Sequence, residues 1–220
     1  MTGKHNPISS LKLMPASFYR GVNSDDPIRF YYYPIIGRMY RHRVELCLNE
    51  CNGGEKILEI GFGTGLAFLN LAEKYKEIHG IDLTADINKV GSAFQEIGVT
   101  TYLKNGNILD LPYPDNTFDT VLLISILEHL QPGDQEQAFS EISRVLKFNG
   151  QVVYGVPVER LFMVTMFKLL GYDIRKAHFS TERNVSDAAL KIMRKEKIIQ
   201  MRSTPPWFGV VYEIGHFKRN

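Results

Sequence analysis

The sequence predicts an α/β fold: a doubly wound, mostly parallel seven-stranded sheet with helices on both faces and an N-terminal helical cap. Three observations predict it. From residue 56 onward, short apolar runs alternate with stretches of helical periodicity, the pattern of layers built around a parallel sheet. One of those runs, Val121 to Ile124, is continuously apolar, as a central strand buried on both faces requires. A glycine-rich turn, Gly61-Phe62-Gly63-Thr64-Gly65, separates the first strand from the first helix.

The elements follow in order. Lys56 to Ile60 is the first strand, closed by the glycines, and Phe68, Leu71, Ala72 and Tyr75 then repeat at helical spacing. Glu77 to Asp82 is the second strand. A helix from Asp86 to Ile97 stops at Gly98, a residue suited to a left-handed cap. Thr100 to Lys104 and Phe118 to Ser125 are the third and fourth strands. Gln135 to Leu146 is amphipathic, with Ala138, Ile142, Val145 and Leu146 on one face, and the turn Phe148-Asn149-Gly150 stops it. Gln151 to Val156 is the fifth strand. Two helical runs, Val158 to Leu170 and Ser186 to Glu196, precede strands at Lys197 to Arg202 and Phe208 to Phe217. Residues 1–54 differ in texture: Phe30, Tyr31, Tyr32, Tyr33 and Pro34 stand ahead of a helix from Gly37 to Leu48. They read as a cap segment over the sheet's carboxyl edge, residues 55–220 as the main domain, and 158–195 as a helical insert within it.

Composition bounds the function. A chain of 220 residues with 44% hydrophobic and 23% charged residues is ordinary globular material with a core that needs no staple. A net charge of +2 gives no reason to expect a nucleic-acid partner. Met1 to Ser10 has no apolar core of a secretory signal, and Val158 to Leu170 is interrupted by Glu159, Arg160 and Lys168. No transmembrane segment and a cytoplasmic location are therefore expected. Cys47 and Cys51 stand four apart without further ligands at zinc spacing, so no metal is expected.

The turn after the first strand carries the chemistry. Glycines there let a ligand approach the backbone, at the place where α/β sheets meet nucleotide-like cofactors. A dinucleotide fingerprint spaces its glycines G-x-G-x-x-G, whereas this turn reads G-x-G-x-G and has Leu66 at the third dinucleotide position. Asp82 closes the second strand 21 residues after Gly61, where a carboxylate can accept both hydrogens of a ribose diol.

EIGFGTG, the acid in GIDL, NGNILDLPYPDNTFD and EISRVLKFNGQVVYGVP together resemble the class I S-adenosylmethionine-dependent methyltransferases, in the small-molecule branch that includes quinone-biosynthesis enzymes. The resemblance covers about residues 55–157 and implies a Rossmann-like fold with S-adenosyl-L-methionine as cofactor. It implies that Glu59 and the loop of Gly61, Phe62, Gly63 and Gly65 hold the methionine part. Asp82 is then the ribose acceptor, Leu83 lies beside the adenine, and Ile126 belongs to the cofactor set. The family commonly has G-D-A where this chain reads Gly106-Asn107-Ile108. A neutral Asn107 carbonyl accepts a hydrogen bond from the adenine amine more weakly than a carboxylate, by about 1 kcal/mol. Asn107 and Ile108 remain adenine contacts on this reading.

The resemblance places Ser125-Ile126-Leu127-Glu128-His129 near the transferred methyl. His129 suits a general base with Glu128 orienting it, and equally suits a cap on the following loop. His178 and Tyr33 are candidates for the acceptor side, the region 158–195 being an acceptor-side insert on this reading. A surface-loop role fits His178 as well. Tyr31, Tyr32, Tyr33, Phe18 and Tyr19 suit an aromatic acceptor pocket or the packing of a cap, and Phe162, Met163, Met166 and Phe167 suit a lid or a buried helix. The reaction expected is in-line methyl transfer to a small molecule, aromatic or lipid-like. The alternatives are a non-catalytic cofactor-binding regulatory subunit and an NAD-dependent oxidoreductase.

Overall fold

In a computed structural model the described residues are 10–20, 22, 28–34, 36–158, 179–203 and 209–220. Seven strands form one sheet: β1 (Gly54–Ile60), β2 (Tyr75–Asp82), β3 (Thr101–Asn105), β4 (Phe118–Ile124), β5 (Leu146–Pro157), β6 (Arg194–Arg202) and β7 (Val210–Lys218). Their order is β3-β2-β1-β4-β5-β7-β6, with β7 antiparallel to both neighbours and the pairs from β3 to β5 parallel. The order reverses direction between β1 and β4, and the crevice at such a switch point, beyond the carboxyl ends of the strands, is where ligands bind in open α/β sheets.

The described helices are α1 (Ala16–Arg20), α2 (Ile36–Glu50), α3 (Phe68–Leu71), α4 (Ile87–Glu96), α5 (Gln135–Val145) and α6 (Glu182–Ile192). Alternating strand residues feed two cores. Ile57, Leu122 and Val153 pack with α2, α3 and α4 through Val44, Cys47, Leu48, Phe68, Leu71, Val90 and Phe94. Leu58, Val121, Leu123 and Val152 pack with α5 and α6 through Phe139, Ile142, Val185 and Ala189. The period of two along each strand thus serves both faces, which explains the continuous apolar run in β4.

Several elements differ from the sequence reading. The helix expected to run to Tyr75 ends at Leu71, and Tyr75 opens β2, where its hydroxyl bonds Thr120 Oγ1 at 2.8 Å. The helix expected over 186–196 lies four residues earlier. A capping box sets its start: the Thr181 side chain accepts from Asn184 N, and Asn184 Oδ1 accepts from Thr181 N at 2.9 Å. Pairing of Arg194 and Lys195 with β7 then draws the charged run into a strand. The Phe148-Asn149-Gly150 turn is a bulge inside β5, between the pairings of Leu146 with Phe118 and of Gln151 with Thr120. α2 packs on the sheet's face through Val44, Cys47 and Leu48, and its Arg43 reaches the carboxyl edge at Ser125. α6, expected within an insert, also lies in a sheet-facing core. The helical run expected at 158–170 falls, apart from Val158, outside the described residues. No helix among the described residues is long and apolar enough to cross a membrane.

Candidate active site at the carboxyl edge

β1 ends at Ile60 and the chain turns sharply through Gly61 (φ 72°) and Gly63 (φ 53°). A side chain at Gly61 would collide with Ile126, whose Cδ1 lies 2.0 Å from where a Cβ would stand. Gly61 N donates to Ile81 O at 2.7 Å, and Gly65 N to Phe62 O at 2.8 Å, so the loop is tied to β2 and to itself. Phe62, 3% exposed, anchors the loop by packing on Phe68. Glu59 is buried beneath it.

Asp82 organises the neighbouring loop. Its Oδ2 accepts from Gly63 N at 3.0 Å, and its Oδ1 accepts from Thr84 N and Ala85 N at 2.9 Å each. The glycine loop and the acid predicted to serve it are therefore joined directly. Asn105 Nδ2 donates to Asp82 O and Ala85 O, holding the same turn from β3. The turn leaves Leu83 69% exposed, an apolar side chain in solvent beside the carboxylate. Asn107 is exposed, and its Oδ1 accepts from Leu109 N at 3.0 Å in an Asx turn, so one lone pair of that oxygen is used locally. Ile108 turns into the core at 6% exposure, so its main chain is what it can offer a ligand.

Beyond β4, Ser125 takes φ 58°, an uncommon conformation for a residue with a side chain. Leu127–His129 then form a 3-10 turn in which Glu128 is buried and His129 exposed. Gln135 Nε2 donates to Leu127 O at 2.6 Å, and Phe179 N and Ser180 N donate to Glu128 O at 2.9 and 3.2 Å, so the turn is fixed from both sides. Tyr33 is 45% exposed. His178, Phe162, Met163, Met166 and Phe167 lie outside the described residues. Tyr19 and Tyr31 are buried; Phe18 packs edge-on against Phe94, so Phe18 and Tyr19 serve the core.

One group at this edge escaped the sequence reading. Arg43 of α2 reaches Tyr31 Oη at 2.9 Å and Ser125 Oγ at 3.4 Å, and its guanidinium stands 4.4 Å over the Tyr40 ring. Ser125 Oγ also lies 2.9 Å from Tyr212 Oη. Burial disfavours the charge, but an arginine is not deprotonated in a protein, and the hydrogen bond to Tyr31 supports the charged form. The signal was present as an arginine among Tyr40, Val44 and Cys47 on the buried stripe of a helix.

Residues 58–154 match the methyltransferase domain family. An uncharacterized methyltransferase of Bacillus subtilis, YcgJ, is 34% identical over 104 residues, covering 46% of this chain and 40% of that protein. The chain thus spans less than half the length of such curated relatives. Among solved structures, geranyl diphosphate C-methyltransferase from Streptomyces coelicolor, bound to S-adenosyl-L-homocysteine, superposes with a TM-score of 0.69 at 14% identity, over 84% of this chain and 79% of that one. The N-methyltransferase NodS of Bradyrhizobium japonicum, also bound to S-adenosyl-L-homocysteine, gives 0.64 at 19% identity, over 92% of this chain and 96% of that one. Those likenesses establish a shared fold.

Proposed function

We propose that this chain, whose residues 58–154 match the methyltransferase domain family, transfers the methyl group of S-adenosylmethionine to a small-molecule acceptor. The observation that carries the reading is the direct bond between Gly63 N and Asp82 Oδ2, which sets the glycine loop and the acid side by side at the switch point. The residues fit the cofactor: exposed Leu83 offers an apolar face beside an ionisable carboxylate, and the turn at Gly61 offers backbone without a Cβ.

When bound, the sulfonium supplies an electrophilic methyl that needs no activation by the protein. Glu59, Gly61, Phe62, Gly63 and Gly65 would hold its amino-acid part, Asp82 the ribose, and Leu83, Asn107 and Ile108 the adenine, with Ile126 closing over Gly61. The chain's contribution to rate is then alignment of the acceptor, which can supply most of the acceleration in an in-line displacement. His129 would take a proton where the acceptor must lose one, and buried Glu128 keeps its turn in place. Tyr33 and His178 would face the acceptor, which we place among aromatic or lipid-like molecules.

The test is thermal unfolding with S-adenosylhomocysteine and, separately, NAD at about 100 times an expected Kd, where binding adds roughly 2.7 kcal/mol. Stabilisation by the homocysteine ligand alone is expected, with transfer of label from methyl-labelled cofactor to an extract. Stabilisation by NAD alone would overturn the reading.

A further inference from the structure

Arg43 is a charge without a visible counter-charge. Among the described residues its partners are hydroxyls and rings: Tyr31 Oη, Ser125 Oγ, and the faces of Tyr40, Tyr31 and Tyr212 at 4.4, 5.6 and 5.8 Å. No acidic side chain of the described residues forms an ion pair with it. Its Nε is fully buried with no hydrogen-bond acceptor, although the residue as a whole keeps partial exposure. Burying a guanidinium is costly unless a carboxylate or equivalent meets it. Tyrosine faces offset part of that cost. Tyr212 does not supply a negative charge, since burial holds it well above its ordinary pKa. Its hydrogen bonds among the described residues, those of Arg43, go to neutral hydroxyls, and the Arg43 Nε has no acceptor.

Its position is specific. Ser125 is the first residue past β4, next to Ile126, which covers Gly61 of the cofactor loop. The left-handed conformation of Ser125 is held by Ser125 N donating to Gly155 O at 2.8 Å, and the serine hydroxyl lies between Arg43 and Tyr212. Local strain that presents a side chain at a strand's carboxyl end is characteristic of working sites. The guanidinium retains N–H donors beyond the two used on Tyr31 and Ser125, in the planar fork that matches an oxyanion.

We propose that Arg43, with the Ser125 and Tyr31 hydroxyls, is an oxyanion-receiving subsite, and that the methyl acceptor carries a carboxylate or phosphate group held there. The inference rests on the methyl-transfer reading for the word acceptor, but the anion site itself can be measured apart from it. An arginine that merely riveted α2 to the sheet would have no use for an anion.

The experiment titrates the full chain, saturated with S-adenosylhomocysteine, with benzoate and with phenyl phosphate, followed by calorimetry. Saturable binding of at least one is expected, and which one binds identifies the oxyanion. Arg43→Gln should weaken that binding by about 10-fold or more, the usual scale for a charge-assisted hydrogen bond. Arg43→Lys should weaken it several-fold by losing the fork, and Ser125→Ala less; a loss of S-adenosylhomocysteine affinity in Arg43→Gln as large as the loss of anion binding overturns the proposal, because it assigns the guanidinium to the cofactor's own carboxylate. Failure of both anions to bind the parent protein overturns the proposal, as does equal binding by Arg43→Gln. Should Arg43→Gln not fold, Arg43→Lys decides in the same way, since undiminished affinity there also overturns it. Absence of S-adenosylhomocysteine binding by the parent protein tells against the methyl-transfer reading instead, and the anion titrations, run without that ligand, still judge the subsite.

Discussion

The two edges of the sheet are built on opposite rules. At the amino edge, polar groups meet complementary partners. Asp119 accepts from Glu55 N and Lys56 N at 2.9 and 2.8 Å and pairs with Lys147 at 2.7 Å. Lys74 Nζ donates to Leu48 O and Cys51 O, capping the end of α2, and Glu50 takes both Lys197 and His216. At the carboxyl edge the chain holds an exposed Leu83 and Arg43 without an acidic partner among the described residues. Volume would mislead here. A cleft of about 290 Å³ lies at the amino edge among Asn52, Asp119, Lys147 and Gln151. Its polar side chains are spent on one another, Lys147 on Asp119 and Asn52 on Gln151. A binding site is marked by charge held ready for something else, and among the described residues the carboxyl edge holds a guanidinium whose Nε is buried without an acceptor.

Paired substitutions test the contrast, and glycines give the largest effect. Gly61 at the carboxyl edge and Gly98 at the amino end of β3 both have positive φ, 72° and 82°. A Cβ at Gly61 strikes Ile126, whereas nothing lies within 4 Å of one at Gly98. Gly98→Ala should cost about 1–2 kcal/mol, the conformational penalty alone. Gly61→Ala adds overpacking and should cost about 2–5 kcal/mol. Urea unfolding measures both, and equal losses would mean that the Ile126 contact does not constrain the loop.

Two aspartates sharpen the functional side. Asp82 and Asp119 each accept backbone N–H groups, three and two respectively. Replacing either by Ala should cost about 1–3 kcal/mol by stranding those donors. Only Asp82→Ala should also weaken S-adenosylhomocysteine, by about 10-fold or more as a charge-assisted hydrogen bond is lost. Isothermal titration of both variants separates the roles, and a like loss of affinity in Asp119→Ala would dissolve the distinction between the edges.

Much of this was legible in the sequence, for definite reasons. Strands buried on both faces carry a continuous apolar signature, so β1, β4 and β5 stood out, and the glycine spacing with Asp82 located the loop. What failed was local propensity against tertiary pairing. Arg194 to Glu196 looks helical, yet strand contacts with β7 claim it. Tyr75 keeps helical spacing with Leu71, yet its hydroxyl belongs to Thr120 across the sheet. Arg43 was invisible for another reason: its partners Tyr31, Ser125 and Tyr212 are brought together only by the fold, over separations of 12 and 82 residues for the two hydrogen bonds. A charged residue on an apolar helical stripe was the available warning.

The smallest expected effect separates the edges by pH. At the amino edge, burial alone would raise the Glu50 pKa, but the bonds from Lys197 and His216 outweigh it and hold the group below its ordinary value near 4.5. Its contribution to stability is therefore complete above that value and is lost as pH falls through the lower folded pKa. Glu213, the fourth residue of β7, lies opposite Val156 near the carboxyl edge, and burial raises its pKa, aided by Glu182 and opposed by the bond to Gln200. Its contribution has the opposite sign: it is complete below the ordinary value and is lost as pH rises through the folded one. Glu50→Gln should therefore lower stability at pH 7, with the difference fading toward pH 3. Glu213→Gln should raise it at pH 7 by about 1 kcal/mol or less, with the gain fading below about pH 4. Urea midpoints across that range read both variants. Shifts of the same sign at pH 7 would mean that the carboxyl edge accommodates its buried charge as fully as the amino edge does.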